Sequence, residues 1–316
     1  MLNRLDAFEQ AAVSLLVERA TETDGVRPLS EHVSLHLRHG GDAAVRHVLV
    51  YAGPDRLAGY GHLDVSDEVD GASAELVVDP ALRGQGFGRR LVRQLLAESP
   101  DGRLRLWSHG GHAAAAALAL SMGFTGSRAL WQMRRSLFAP LPGPVLPEGV
   151  QVRPFHPGKD EDAWLAVNAR AFAGHPEQGR WNLADLTRRE QEPWFSPAGF
   201  FLAVRPGPPE RIIGFHWTKV HGGAHDHRPG HGPGEEGHDQ AHGHDPIGEV
   251  YVVGVDPGEQ GRGLGRALTL VGLRHLRSAG LPEAMLFVDG DNAPAIRLYT
   301  ELGFTHWDTD VMFTAP

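Results

Sequence analysis

Two stretches of this 316-residue chain carry residue types and spacings that could hold a phosphate group. Arg83-Gly84-Gln85-Gly86-Phe87-Gly88 and Gln260-Gly261-Arg262-Gly263-Leu264-Gly265-Arg266 each follow an apolar run that ends in Asp-Pro, and each leads into a helical pattern. Glycines at such a turn let backbone N–H groups converge on an anion, and the helix N-terminus adds partial positive charge. A dinucleotide fingerprint needs a further glycine where this chain has Arg89 and Arg266, and a P-loop needs Gly-Lys-Ser/Thr, which occurs nowhere. What remains is Arg/Gln-x-x-Gly-x-Gly after an acidic-Pro strand end, with Asn-x-x-Ala-x-x-Leu-Tyr-x-x-x-Gly-Phe further on, from Asn292 to Phe304.

The two stretches are halves of a repeat. Ala74–Pro80 and Val252–Pro257 align together with all three glycines at one offset of 177 residues, Asp79 to Asp256. A second echo, Leu118–Phe124 against Leu298–Phe304, holds at 180. A helix cap with incidental glycines would not recur in this way, so the chain reads as a tandem duplication. Domain 1–138 is followed by a Pro-rich linker, 139–149, and by domain 150–316. Such a loop, placed after a strand and opening a helix, resembles the pyrophosphate clamp of acyl-coenzyme A-dependent N-acetyltransferases.

Each half must supply strands and helices to position its loop. In the first, the pattern predicts a helix over Leu5–Thr21, hairpin strands Val45–Tyr51 and Leu57–Asp64, and a strand at Ala74–Val78. A helix over Gly86–Ala97, a strand at Arg103–Trp107 and a helix over Ala113–Ser121 follow. The second half predicts strands Phe200–Val204, Ile212–Val220 and Glu249–Val255, helix Gly263–Ser278, strand Ala284–Val288, helix Ala293–Glu301 and a last strand after Gly303. Between two of its strands, residues 221–245 hold seven of the nineteen histidines and no large apolar side chain. They cannot bury a core and are expected to form a mobile loop without a role in catalysis. The competing reading is a Zn²⁺ or Ni²⁺ site.

Both halves resemble the GNAT N-acetyltransferase superfamily. Ala20–Val26 with Glu31, His175-Pro-Glu-Gln-Gly179, Gly214-Phe-His-Trp-Thr-Lys-Val220 and Glu249–Pro257 extend the resemblance, along nearly the whole chain, to the tandem acetyltransferases that form mycothiol. The resemblance implies an α/β fold of two GNAT domains, each a mixed, mostly antiparallel sheet flanked by helices. It implies transfer of acetyl from acetyl-CoA, with no metal, to the cysteine amine of cysteinyl-glucosaminyl-inositol. Glu249 is then the general base, Tyr299 the acid for the departing thiolate, and the Val253 N–H the oxyanion donor, aimed by a bulge at Val253-Gly254-Val255. The clamp comprises Val253–Val255, Gln260–Arg266 and Asn292-Ala293-Pro294-Ala295-Ile296-Arg297. Glu31, Glu177, Lys219, Glu249 and Phe287 are the acceptor contacts, with Phe287 standing where the family commonly has Tyr, and Glu31 reaching the second active site from the first half.

The duplication supplies an internal control. At the repeat offsets Glu249 corresponds to Ala72, Tyr299 to Ala119 and Asn292 to His112. The first half keeps a clamp, Leu76-Val77-Val78 and Arg83–Gly88, but lacks both proton-transfer residues. It should bind acetyl-CoA or nothing, and not catalyse.

Composition narrows the partners. Hydrophobic residues at 41% and charged residues at 22% are ordinary for a folded chain. No run reaches the length of a membrane span, and the opening MLNRLDAFEQ leads to the expectation of no secretory signal. Zero cysteines exclude disulfides and thiolate nucleophiles, and a net charge of −9 disfavours coating nucleic acid. The expectation is a cytoplasmic monomer acting on a small molecule, without nucleic-acid or membrane partners. Two alternatives stay open: a GNAT enzyme for another small-molecule or protein amine, and a non-catalytic acetyl-CoA sensor or metal-binding module using the His-rich segment.

Overall fold

In the computed structural model the described residues are 2–39, 43–67, 70–175, 178–222 and 246–316. Glu177 and residues 223–245 of the His-rich segment lie outside them. The chain divides into two compact units. One is Met1–Trp131 with Asp289–Asp291 and Asp308–Pro316, and the other is Gln132–Val288 with Asn292–Trp307. Among the described residues no helix is long and apolar enough to cross a membrane.

The first unit opens with α1 (Ala7–Asp24), started by a capping box in which Asp6 accepts from the Glu9 N–H and Glu9 from the Asp6 N–H. Helix α2 (Glu31–His39), which the sequence pattern does not announce, follows. Strands β1 (Val45–Tyr51) and β2 (Leu57–Asp64) form the expected hairpin, and β3 (Ala72–Val78) adds antiparallel to β2. Strand β4 (Leu104–Ser108) then runs parallel to β3. Two helices flank its last strand in sequence, α3 (Phe87–Glu98) before β4 and α4 (Ala113–Ser121) after it.

Core formation explains the order. Val13, Leu16 and Ala20 of α1 cover one side of the sheet at Tyr60 and Val77, while Leu91, Val92 and Leu95 of α3 pack with Val48, Leu63 and Phe124. The last stretch of the chain supplies this unit with Phe313, whose strand pairs antiparallel with β4 opposite Leu106. Inside the unit, Glu75 accepts from the Ser30 N–H at 2.6 Å, and His109 Nδ1 lies 2.8 Å from Asp310 Oδ2. Burial alone would lower His109, but the facing carboxylates of Asp310 and Glu75 push it up to about 10.

In the second unit β6 (Gln151–Pro154), β7 (Phe200–Arg205), β8 (Arg211–His221) and β9 (Ile247–Val255) pair antiparallel in turn, and β10 (Glu283–Asp289) joins β9 in parallel. Helices α5 (Glu161–Ala171), α6 (Leu183–Glu190), α7 (Leu264–Ser278) and α8 (Ala293–Glu301) accompany them. Two long strands, β5 (Thr125–Ser136) and β11 (Thr305–Thr314), contribute residues to both units. Phe200, Leu202 and Val204 pack on Trp164 of α5, whereas Ala203 and Ile213 pack on Leu264 and Leu268 of α7. Both faces of β8 are covered, so Ile212–Lys219 are all buried and the stretch Ile212–Trp217 is apolar apart from His216. His216 sits inside it, fully buried, with Nδ1–H donating to the Leu268 carbonyl at 2.7 Å, and Gly272 leaves the space its ring occupies.

Candidate active site

The glycines of the two repeated loops act through the backbone. Gly84, Gly86, Gly261 and Gly263 all have positive φ, between 75° and 88°, and a Cβ added to any of them meets no atom within 4 Å. Backbone conformation, not crowding, demands glycine there. Gly86 and Gly263 are the N-caps of α3 and α7, and neither helix start has a side-chain cap, unlike Asp6 at α1 or Asn182 at α6. The first N–H groups of α7, at Leu264, Gly265 and Arg266, are thereby left for an anion.

Each loop is held from behind. Asp79 and Asp256 cap the turn by accepting from the N–H two residues on, and each pairs with an arginine of the preceding long helix, Arg19 or Arg170. Arg83 makes two 2.7 Å bonds to Asp24, which hold that carboxyl below its usual range. Gln260 Nε2 donates to the Val255 carbonyl, and Arg262 pairs with Glu259, which also binds Arg205 and Arg211. Arg266 pairs with Glu301, and Asn292 accepts from the Ala295 N–H to cap α8. Gln260, Arg262, Arg266 and Asn292 thus spend polar groups on positioning the loop and helices.

Next to each loop the sheet opens. The parallel ladder of β9 with β10 ends at Val250 opposite Leu286, and that of β3 with β4 ends at Ala74 opposite Leu106. Beyond these points the strands part. Because the Asp256 N–H bonds to the Ile213 carbonyl, strand alternation turns the Val253 and Val255 N–H groups away from β8, toward the opening. By the same rule, from Asp79 to Ala58, Leu76 and Val78 present theirs in the first unit.

The expected bulge is not at Val253–Val255. The register break falls where Val252 pairs with Trp217 and Val250 with Thr218, so Tyr251 is the extra residue. Its ring fits among Trp194 and Trp217, with centroids 5.2 and 5.3 Å away, and its hydroxyl accepts from Arg189 Nε at 2.8 Å. That aromatic nest accommodates the extra residue upstream of the opening. The first unit has no such break over β2 and β3, which corrects the internal alignment by one residue. Glu249, paired with Met285, is structurally equivalent to Ser73, which pairs with Arg105, and not to Ala72. Tyr299 still corresponds to Ala119, since α8 and α4 keep the offset of 180.

Glu249 is buried on β9 beside its cross-strand partner Lys219, and its Oε2 lies 2.6 Å from His221 Nε2. Lys219 is buried too, with Nζ 4.5 Å from the Trp194 ring centroid and 5.3 Å from that of Tyr251. Tyr299 stands half-buried at the end of α8 against Phe304, and burial pushes its phenol up to about 12. Phe287 is exposed on β10, and Glu31 begins α2 in the first unit. Sequence reasoning missed His221 because it was counted with the His-rich segment. The available signal was its i, i+2 spacing from Lys219 on a strand, which puts both on one face.

A glycine-capped helix behind a parting pair of parallel strands, built twice, defines an acyltransferase of the GNAT class. A model of the Acetyltransferase (GNAT) family matches residues 166–304, and one of the Acetyltransferase (GNAT) domain matches residues 44–126. A tandem GNAT protein from the clavulanic acid biosynthesis pathway has the same fold, with TM-score 0.70 and 19% identity over 99% of this chain and 97% of that one. The mycothiol acetyltransferase of Streptosporangium roseum is 57% identical over 344 residues, covering 98% of this chain and 97% of the relative. That of Acidothermus cellulolyticus is 59% identical, covering 95% and 89%. The chain belongs to the mycothiol acetyltransferase family.

Proposed function

We propose that the second unit transfers the acetyl group of acetyl-CoA to the cysteine amine of cysteinyl-glucosaminyl-inositol, giving mycothiol. The observation that carries this reading is the β9–β10 opening. Its edge offers the Val253 and Val255 N–H groups, it lies between Glu249 and the uncapped start of α7, and it belongs to a chain whose curated relatives share the activity over nearly their whole length.

The steps follow from these groups. The α7 amides at Leu264, Gly265 and Arg266 bind the pyrophosphate, which sets the thioester along β9. Glu249 takes a proton from the acceptor ammonium, directly or through water, and His221 fixes the orientation of its carboxylate. The freed amine forms a C–N bond to the thioester carbon while the Val253 N–H stabilises the oxyanion. The C–S bond breaks, Tyr299, kept protonated by burial, gives its proton to the leaving thiolate, and the second proton, shed by the nitrogen as it becomes an amide, restores the phenol. Lys219 and Phe287 contribute to the acceptor side of this unit. The first unit binds acetyl-CoA through Leu76–Val78 and Arg83–Gly88 without turning it over, since Ser73 and Ala119 replace the two proton-transfer residues.

The test is product mass after incubating the purified chain with acetyl-CoA and cysteinyl-glucosaminyl-inositol. An N-acetyl product that disappears in Glu249→Gln is expected. Acetyl-CoA binding without product would overturn the acceptor and send the search to a panel of other amines.

A further inference from the structure

Four side chains of the first unit that acetyl transfer leaves unused stand together between α2 and β2. His32 and His36 are four residues apart on α2, so the helical period places them on one face. Asp64 ends β2, and His62, two residues before it, shares its face of the strand. His32 Nε2 is 3.2 Å from Asp64 Oδ2, the His32 and His36 ring centroids are 4.1 Å apart, and His36 Nδ1 is 3.1 Å from His62 Nε2. One ligand atom each from His32, His36 and Asp64 lie within 4.8 Å of one another, and among the described residues they are the one group of this kind.

We propose that His32, His36 and Asp64 bind a divalent transition-metal ion, Zn²⁺ foremost, with His62 orienting His36. Two imidazoles and a carboxylate are a borderline donor set, which Mg²⁺ and Ca²⁺, as oxygen-seeking ions, do not favour. Tetrahedral ligation at bonds of about 2.0–2.2 Å places ligand atoms roughly 3.3–3.6 Å apart, and the His32–Asp64 separation is already close to that spacing. A ligating histidine usually has its second nitrogen held by a hydrogen-bond acceptor that sets its tautomer and direction, and here the buried His62 ring takes that place beside His36. His32 lies at the surface and His36 in the interior, so an ion can reach the group from the His32 side. Bound there, the ion ties α2, a short helix of low intrinsic stability, to the sheet.

The experiment is a titration of the chelator-stripped full chain with Co²⁺, read by its visible absorption and by competition with Zn²⁺. The histidines of residues 221–245 are present in every variant, so their contribution cancels in the comparison. Wild type is expected to take up one more tightly held equivalent, with the intense absorption of a low-symmetry site, than His32→Ala or Asp64→Asn. His62→Gln should keep that equivalent but weaken it by about 10–100-fold. Zn²⁺ should also raise the melting temperature of wild type and not of Asp64→Asn. Identical stoichiometry, spectrum and thermal response in wild type, His32→Ala and Asp64→Asn would overturn the site.

Discussion

His221 Nε2 lies 2.6 Å from Glu249 Oε2, across the β8–β9 ladder and just before β9 leaves β10. The pair joins the last residue of one strand to a buried carboxylate of the next, so the geometry of Glu249 depends on a side chain 28 positions earlier in the chain.

If Glu249 is the base, Glu249→Gln keeps the shape and removes the proton acceptor. Turnover should fall by about 10²–10⁴-fold while acetyl-CoA affinity, measured by calorimetry, is unchanged. Undiminished turnover would remove Glu249 from that role.

His221 acts as a positioning residue. Without that contact the Glu249 carboxylate can turn away from the acceptor amine, so His221→Ala should lower kcat by roughly 10–100-fold with acetyl-CoA affinity intact, and His221→Gln, which keeps a donor, should recover much of the loss. An unchanged kcat in His221→Ala would remove His221 from that role.

The two clamps can be separated by their cap glycines. A side chain at φ +82° or +88° costs roughly 1–2 kcal/mol and turns the helix N–H groups away. Gly263→Ala should raise the KM for acetyl-CoA, whereas Gly86→Ala should change the number of acetyl-CoA molecules bound and leave turnover alone. Loss of turnover in Gly86→Ala would give the first unit a part in the reaction.

Gly272→Ala would drive a methyl group into the His216 ring. Overpacking of this kind costs about 1–3 kcal/mol, readable by urea unfolding. Because the two sites share one space, the cost should shrink in the double variant with His216→Ala, a coupling that a double-mutant cycle measures.

Stability should peak near neutral pH. Burial lowers His216 to about 4, so the unfolded chain binds the proton first as pH falls from 6.5. His216 alone should remove about 3 kcal/mol of stability by pH 4, and His216→Asn should flatten that slope. His109 has the opposite sign. Raised to about 10, it stabilises fully below 6.5 and loses its contribution as pH rises toward 10. Unfolding free energies at pH 5, 7 and 9 test both limbs.

The sequence by itself determined the repeat, the paired Asp-Pro and Gly-x-Gly turns, the main strands and helices around them, and the inequality of the two halves. These are local signals. A glycine at positive φ, a cap two or three residues from its target and an apolar period are each written within a few neighbouring residues. The tertiary structure decided what depends on strand register. One extra residue at Tyr251 leaves the downstream offset of the repeat unchanged, so the one-residue correction from Ala72 to Ser73 shows only where Glu249 and Ser73 meet their partners on β10 and β4. The meeting of His221 with Glu249, the space Gly272 leaves for His216 and the grouping of His32, His36, His62 and Asp64 likewise arise from segments distant in sequence. No single segment encodes such contacts, because each is the product of a pairing that only the packed sheet and helices impose.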